Sequence, residues 1–274
     1  MSPKDTVDCQ IALDRLEAWF SGCPAAAMAL SGGVDSSLVA YLARRNLGRE
    51  ATTAYLADSA SLKRKDFQIA IEFCSEHDIT LVVMKTRELE NPEYAANPAD
   101  RCYFCKTTLY LEMSRLLAKD GSVWLLNGTN TEDLGDYRPG LQAGDESDVR
   151  SPLSECGINK AMVRSLSQSF GLTCWDKPAS PCLSSRIPYG ESVTEQKLGR
   201  IEAGEELLEM LGFDVARVRH YEDRAVLEVE RDQLADLTEH LPRIEKEFRR
   251  LGFGGVEIDS EGFVSGKLNR SLAR

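Results

Sequence analysis

The chain has 274 residues, with 33 lysines and arginines against 44 aspartates and glutamates and a formal net charge of −11. That length accommodates a main domain and a smaller one, and the acidic balance argues against a broad basic surface for nucleic acid. No charged start leads into an apolar h-region and no apolar run approaches twenty residues. The expectation is therefore a cytoplasmic protein with neither signal peptide nor membrane span, its eight cysteines serving as thiols, metal ligands or redox groups and not as a disulfide framework.

In chain order, residues 8–20 carry a helical pattern, and Ala25-Ala26-Ala27-Met28-Ala29-Leu30 is short and continuously apolar, as a strand buried on both faces of a parallel sheet is. Leu38, Val39 and Leu42 then fall at helical spacing, up to a left-handed cap at Gly48. A strand over 51–57, a helix over 62–77 with Phe67, Ala70, Ile71 and Cys74 on one face, and a strand over 79–84 follow. Residues 91–100 read as a loop and 106–119 as a helix, and Val123-Trp124-Leu125-Leu126 reads as a fourth strand running into Gly128-Thr129-Asn130. This rhythm predicts an α/β fold with a doubly wound parallel sheet, whose ligands bind beyond the carboxyl ends of the strands. After Gly190 the rhythm changes. Ser192 and Glu195 are spaced as a capping box for a helix over 193–211, followed by strands over 215–220 and 225–230, a helix over 232–250 and a strand over 256–259. The expected domains are 1–190 and a smaller C-terminal α+β unit, 191–274.

Ser31-Gly32-Gly33-Val34-Asp35-Ser36-Ser37 joins the first strand to its helix. Gly32 and Gly33 let backbone N–H groups close around phosphate oxygens, while Ser31, Ser36 and Ser37 add hydroxyl donors and the helix N-terminus adds partial positive charge. Asp35 cannot donate to phosphate; its place there suits the magnesium that accompanies ATP. No GxxxxGK[ST] occurs in the chain. The heptapeptide resembles the PP-loop of the ATP pyrophosphatase superfamily, which implies cleavage of ATP to AMP and pyrophosphate.

Arg101-Cys102-Tyr103-Phe104-Cys105-Lys106 places a CxxC at a loop-to-helix junction, where thiolate pKa values fall. Half a zinc site, a dithiol pair, two packed thiols and iron–sulfur ligation are all compatible with it. Cys182 lies in a loop rich in Pro, Ser and Gly, Asp176 to Gly190. Three such cysteines can hold a [4Fe–4S] cluster with one iron open. Cys9, Cys23, Cys74, Cys156 and Cys174 have no such spacing and are expected to be buried.

SGGVDSS, RCYFCK, GTNTEDLGDYRPG and KPASPCLSSRIPYG occur in the order found in the LarE family, and the resemblance spans nearly the whole chain. It implies an ATP-dependent sulfur transferase that adenylates a carboxylate of a pyridinium mononucleotide and converts it to a thiocarboxylate for a nickel-pincer cofactor. It further implies a small-molecule nucleotide substrate, no nucleic-acid or membrane partner, a homo-oligomer and an unidentified sulfur donor. One form of the family sacrifices the sulfur of the cysteine matching Cys182, and another holds a [4Fe–4S] cluster on three cysteines. The presence of Cys102, Cys105 and Cys182 matches the cluster form. Beside Ser31 to Ser37, Gly128 and Asp133 are candidates for ATP and magnesium, and Asp136, Arg138, Ser185, Arg186, Arg217 and Arg219 for the substrate and its phosphate. Glu206 and Glu228 roughly match acidic metal positions of the family.

Two enzymes of the same class compete with this reading. An ammonia-using ligase resembling NAD synthetase has no need of the three cysteines, and a tRNA thiolase needs a basic surface that this chain lacks. A nucleotide sensor without turnover would not need a cysteine site beside its loop.

Overall fold

The computed structural model describes residues 3–117, 122–135, 139–264 and 266–273. They form two compact units, one of Met1–Glu88 and Cys102–Ser180, the other of Leu89–Arg101 and Pro181–Arg274.

The elements begin with α1 (Pro3–Phe20), β1 (Ala26–Leu30), α2 (Val34–Leu47), β2 (Thr52–Asp58), α3 (Arg64–Glu76) and β3 (Thr80–Lys85). They continue with α4 (Pro92–Ala95), α5 (Arg101–Leu116), β4 (Trp124–Leu126), α6 (Pro139–Glu146), α7 (Pro152–Glu155) and α8 (Lys160–Ser169). The last set is α9 (Glu195–Met210), β5 (Ala216–Tyr221), β6 (Arg224–Val229), α10 (Leu234–Leu251) and β7 (Gly255–Ile258).

In the first unit the strands pair in parallel in the order β3-β2-β1-β4, with Ala26 opposite both Thr52 and Trp124. All five residues of β1 are buried, as its unbroken apolar run predicts. Ala26, Met28 and Leu30 join a core with Leu16, Leu38, Leu42, Phe73 and Leu166, whereas Ala27 and Ala29 join a second core with Tyr55, Tyr110 and Met113. Alternate side chains of one strand thus enter cores on opposite faces, which is the expected doubly wound sheet. Among the described residues no helix is long and apolar enough to cross a membrane.

The second unit has a three-stranded sheet, with β5 and β6 antiparallel and β6 and β7 parallel. The order of α9, β5, β6, α10 and β7 matches the expected α+β pattern. The cap of α9 differs from expectation: the Thr194 hydroxyl, not Ser192, accepts the Lys197 N–H at 3.2 Å. Helix α5 starts at Arg101, five residues before its expected start at 106, so Cys102 and Cys105 lie in its first turns and not ahead of it.

Candidate functional site

The turn from β1 into α2 is shaped by backbone contacts that leave no room for side chains. Gly32 adopts φ +71°, and a Cβ there would lie 2.8 Å from the carbonyl oxygen of Asp66. Gly128, just past β4, packs so closely that its Cβ would lie 2.6 Å from the Ser36 amide nitrogen. The loop therefore requires glycine at both places. Gly33 precedes the first turn of α2 with φ −87° and ψ 157°, and no side chain caps that turn. Its N–H groups are placed to meet an anion.

Ser36 closes the loop on itself. Its hydroxyl accepts from the Ser31 N–H at 3.2 Å, donates to the Gly33 carbonyl at 3.0 Å and lies 3.1 Å from the Ser31 hydroxyl. Ser37 is 1% exposed and hydrogen-bonds the Cys174 thiol, so its hydroxyl faces the core and not the loop opening. Ser31 is exposed.

Asp35 is the one carboxylate of the loop, and it is fixed from two sides. Asn130 Nδ2 donates to its Oδ1 at 3.1 Å, and Lys160 Nζ meets its Oδ2 at 2.5 Å. Asp133 stands one step back, its Oδ2 accepting the Asn130 N–H at 3.0 Å. Lys177, 16% exposed, reaches the Gly32 carbonyl and the Asp66 carboxylate, both at 2.8 Å. Sequence reasoning does not single out Asn130, Lys160, Lys177 or Asp66. A lysine in the first turn of α8, where the helix dipole favours an acid, is the signal that Lys160 carries. Asp136 and Arg138 lie outside the described residues.

The second unit gathers the remaining candidates around one loop. Cys182 precedes a 3₁₀ turn, Leu183–Arg186, and is half-buried. Arg186 is 1% exposed; it donates to Glu205 from Nε at 2.8 Å and Nη2 at 3.1 Å, and from Nη1 to the carbonyls of Pro181 and Cys182 and the Ser185 hydroxyl. Arg219 is likewise buried, paired with both oxygens of Glu228 at 3.1 and 3.0 Å and donating to the Ser185 carbonyl at 2.8 Å. Both guanidinium groups hold the loop that carries Cys182. Arg217 is half-buried beside them; burial, and then Arg186 and Arg219, lower its pKa to about 10 against the pull of Glu205 and Glu228.

Glu206 and Glu228 stand in different surroundings. Glu206 is exposed on α9, its neighbour Glu205 being the buried acid, and Glu228 is occupied by Arg219. Among the described residues no three His, Cys, Asp or Glu side chains are grouped to hold a metal ion. Cys102 is exposed and Cys105 half-buried, three residues apart and so on one face of α5 in the first unit; Cys182 belongs to the second. Cys23 and Cys74 are pushed up to about 11 by burial, and burial also raises Cys156 and Cys174, which makes all four poor nucleophiles.

A parallel sheet whose first strand ends in a glycine-rich SGGVDSS turn at a helix start defines a PP-loop enzyme, the class that uses ATP with magnesium. A family model described as NAD synthase matches residues 19–95. Over 264 residues the chain is 42% identical to an uncharacterized protein of Synechocystis sp., covering 96% of this chain and 98% of that one. Over 247 residues it is 35% identical to the pyridinium-3,5-bisthiocarboxylic acid mononucleotide synthase of Lactiplantibacillus plantarum, covering 90% of each. An uncharacterized protein of Methanocaldococcus jannaschii is 27% identical over 238 residues, 87% of this chain and 90% of that one. The chain belongs to the LarE family of ATP-dependent sulfur transferases.

Proposed function

We propose that this enzyme activates a carboxylate of a pyridinium mononucleotide with ATP and replaces the activated oxygen by sulfur, giving a thiocarboxylate. The observation that carries the reading is the closed turn of Ser31 to Ser36 against Gly128, with Asp35 held beside it by Asn130 and Lys160. A substrate carboxylate oxygen attacks the α phosphorus of ATP, the α–β bridging bond breaks, and pyrophosphate departs into the amide-lined turn. Asp35, with Asp133 behind it, would hold magnesium; the carboxylate at the turn fits a hard cation. A sulfur nucleophile then attacks the acyl carbon and AMP leaves.

Cys182 carries or receives the sulfur. Arg186 and Arg219 position its loop through their bonds to Pro181, Cys182 and Ser185. Arg217 remains the arginine candidate for the substrate phosphate, since a guanidinium grips phosphate in bidentate fashion. Asp136, Arg138 and the Ser185 hydroxyl complete the substrate candidates. The finer reading is that Cys102, Cys105 and Cys182 hold a [4Fe–4S] cluster in an oligomeric cytoplasmic enzyme; three at least partly exposed thiols are a suitable donor set. Such a cluster supplies an open iron for sulfide.

Protein purified without oxygen and given ATP, magnesium, sulfide and a pyridinium carboxylate mononucleotide tests the proposal. AMP, pyrophosphate and a product in which sulfur has replaced oxygen are expected. ADP and phosphate as the only nucleotide products, or an amide formed from ammonia in place of the thiocarboxylate, would overturn it.

A further inference from the structure

A polar stretch beyond the last strand of a domain stays solvated and loose unless something ties it down. The stretch after β7 is tied. The Asp259 and Phe263 N–H groups donate to the Leu227 and Val229 carbonyls of β6 at 2.9 and 2.7 Å. Between them Gly262 turns at φ +74°, where a Cβ would lie 2.8 Å from the Val229 carbonyl oxygen. The Arg217 guanidinium lies over the Phe263 ring, 5.1 Å from its centroid.

Lys267 gathers the acids of this stretch. Its Nζ lies 2.5 Å from Asp259 Oδ2, 3.4 Å from Glu261 Oε2 and 3.6 Å from Glu228 Oε1. Burial works against its charge, yet those carboxylates raise its pKa above the ordinary lysine value. Glu228 is the acid that pairs with Arg219, and Arg219 donates to the Ser185 carbonyl of the Cys182 loop. Ion pairs and hydrogen bonds therefore run without a break from Lys267 to that loop. A second tie joins the same two segments, because the Tyr189 hydroxyl, at the far end of the loop, donates to Asn269 Oδ1 at 3.1 Å. Without the ammonium group Glu228 and Asp259 would repel each other across the gap it fills, and solvent screens a 1% exposed carboxylate poorly.

We propose that the segment carrying Asp259, Phe263, Lys267 and Asn269 is a strap that holds the Cys182 loop in its reactive position, with Lys267 as the positioning residue. Lys267 acts through Glu228 and Arg219 and touches no reacting atom. The sulfur step, which needs Cys182 aligned with the acyl carbon, depends on the strap, whereas activation by ATP uses the turn of the other unit and does not. This rests on the sulfur-transfer reading of Cys182.

Two measurements on the full chain test it, each with the wild type, Lys267→Met, Lys267→Arg and Tyr189→Phe. In the first, Cys182 is alkylated with iodoacetamide and followed by peptide mass spectrometry. Lys267→Met should accelerate alkylation several-fold, Lys267→Arg should stay near the wild type, and Tyr189→Phe, which loses one hydroxyl, should accelerate it by a smaller factor. In the second, pyrophosphate and thiocarboxylate are counted in a single turnover with ATP, magnesium, sulfide and a pyridinium carboxylate mononucleotide. Lys267→Met should keep the pyrophosphate burst and form thiocarboxylate about tenfold more slowly, since a small misplacement of a reacting group is enough for that. A partly unfolded enzyme would lose both in proportion. Wild-type alkylation rates in both Lys267→Met and Tyr189→Phe, an equal loss of pyrophosphate and thiocarboxylate in Lys267→Met, or a failure of Lys267→Arg to restore either quantity would overturn the assignment. A wild type that releases pyrophosphate without forming thiocarboxylate would instead remove the sulfur-transfer reading, and the alkylation rates would still decide whether the strap holds the loop.

Discussion

Lys177 Nζ lies 2.8 Å from the Gly32 carbonyl oxygen and 2.8 Å from Asp66 Oδ1, so a lysine from the segment leading to Cys182 fastens the nucleotide turn to the first turn of α3. The Ser180 hydroxyl donates to the other Asp66 oxygen at 2.6 Å. Asp66 thus braces the turn with its side chain, and with the carbonyl that Gly32 approaches.

Replacing Lys177 by Met leaves the buried Asp66 carboxylate with the Ser180 hydroxyl and no cation beside it. The expected cost is about 3 kcal/mol, a fall in Tm of roughly 6 to 12 °C by calorimetry. Combining it with Asp66→Asn should recover most of the loss, since the uncompensated charge goes too. An unchanged Tm in Lys177→Met would show that the tether is not energetically significant.

Glu205→Gln leaves the Arg186 guanidinium, 1% exposed, without its carboxylate. Stability should fall by about 3 kcal/mol or more. The Cys182 loop should also loosen, so alkylation of Cys182 by iodoacetamide, followed by peptide mass spectrometry, should accelerate several-fold. Glu206→Gln on the exposed side of the same helix should alter neither quantity.

Much of the fold is legible in the chain because local rules suffice for it. The apolar run before SGGVDSS and the glycines at 32 and 128 each follow from period or from backbone freedom. Arg217 and Arg219 show where such rules stop. Alternation along β5 suggests either a ligand face or a solvent face, yet Arg219 is buried against Glu228 and the Ser185 carbonyl, a loop 34 residues away. Lys160 is equally hidden, because its partner lies in the turn from β1 into α2 and only tertiary folding brings the two together. Spacing to Glu195 favours Ser192 as the cap, while Thr194 offers its hydroxyl at the actual first turn.

His220 is 1% exposed with no hydrogen-bond partner on either ring nitrogen among the described residues, and burial, then Lys197, lowers its pKa below the ordinary imidazole value. His77 is shifted the same way by burial. Below about pH 6.5 the unfolded chain therefore binds these protons more readily than the folded one. Stability is full above that pH and declines as pH falls toward the lowered values. Thermal melts between pH 5 and 8 should show this slope, and His220→Leu should flatten it relative to the wild type; equal slopes would remove His220 as a contributor.

The three loop and helix-start cysteines separate two sulfur sources. If they share a cluster, alanine at Cys102, Cys105 or Cys182 should each lower the iron content of anaerobic protein, and the wild type should turn over repeatedly with sulfide. If Cys182 is sacrificed, turnover should stop at one sulfur per chain with a mass loss of about 34 Da, and Cys102 and Cys105 should prove dispensable. Intact-protein mass spectrometry beside an iron assay reads both outcomes from one sample.

The second unit is assembled from two distant stretches of chain, and that fixes an order of events during synthesis. Tyr94 hydrogen-bonds Ser184 across 90 residues at 2.7 Å, Asn97 donates to the carbonyls of Ile187 and Pro188, and Gly190 donates back to the Asn97 carbonyl. At about 5 to 20 residues per second, roughly 5 to 18 s pass between the emergence of Tyr94 and that of its partner. Throughout that interval the segment before the CxxC has left the ribosome with its polar groups unmatched by the loop that will bury them. A nascent chain stalled before residue 181 should consequently expose Asn97 and Tyr94 to proteolysis, and the same bonds should become protected once the Cys182 loop has been made.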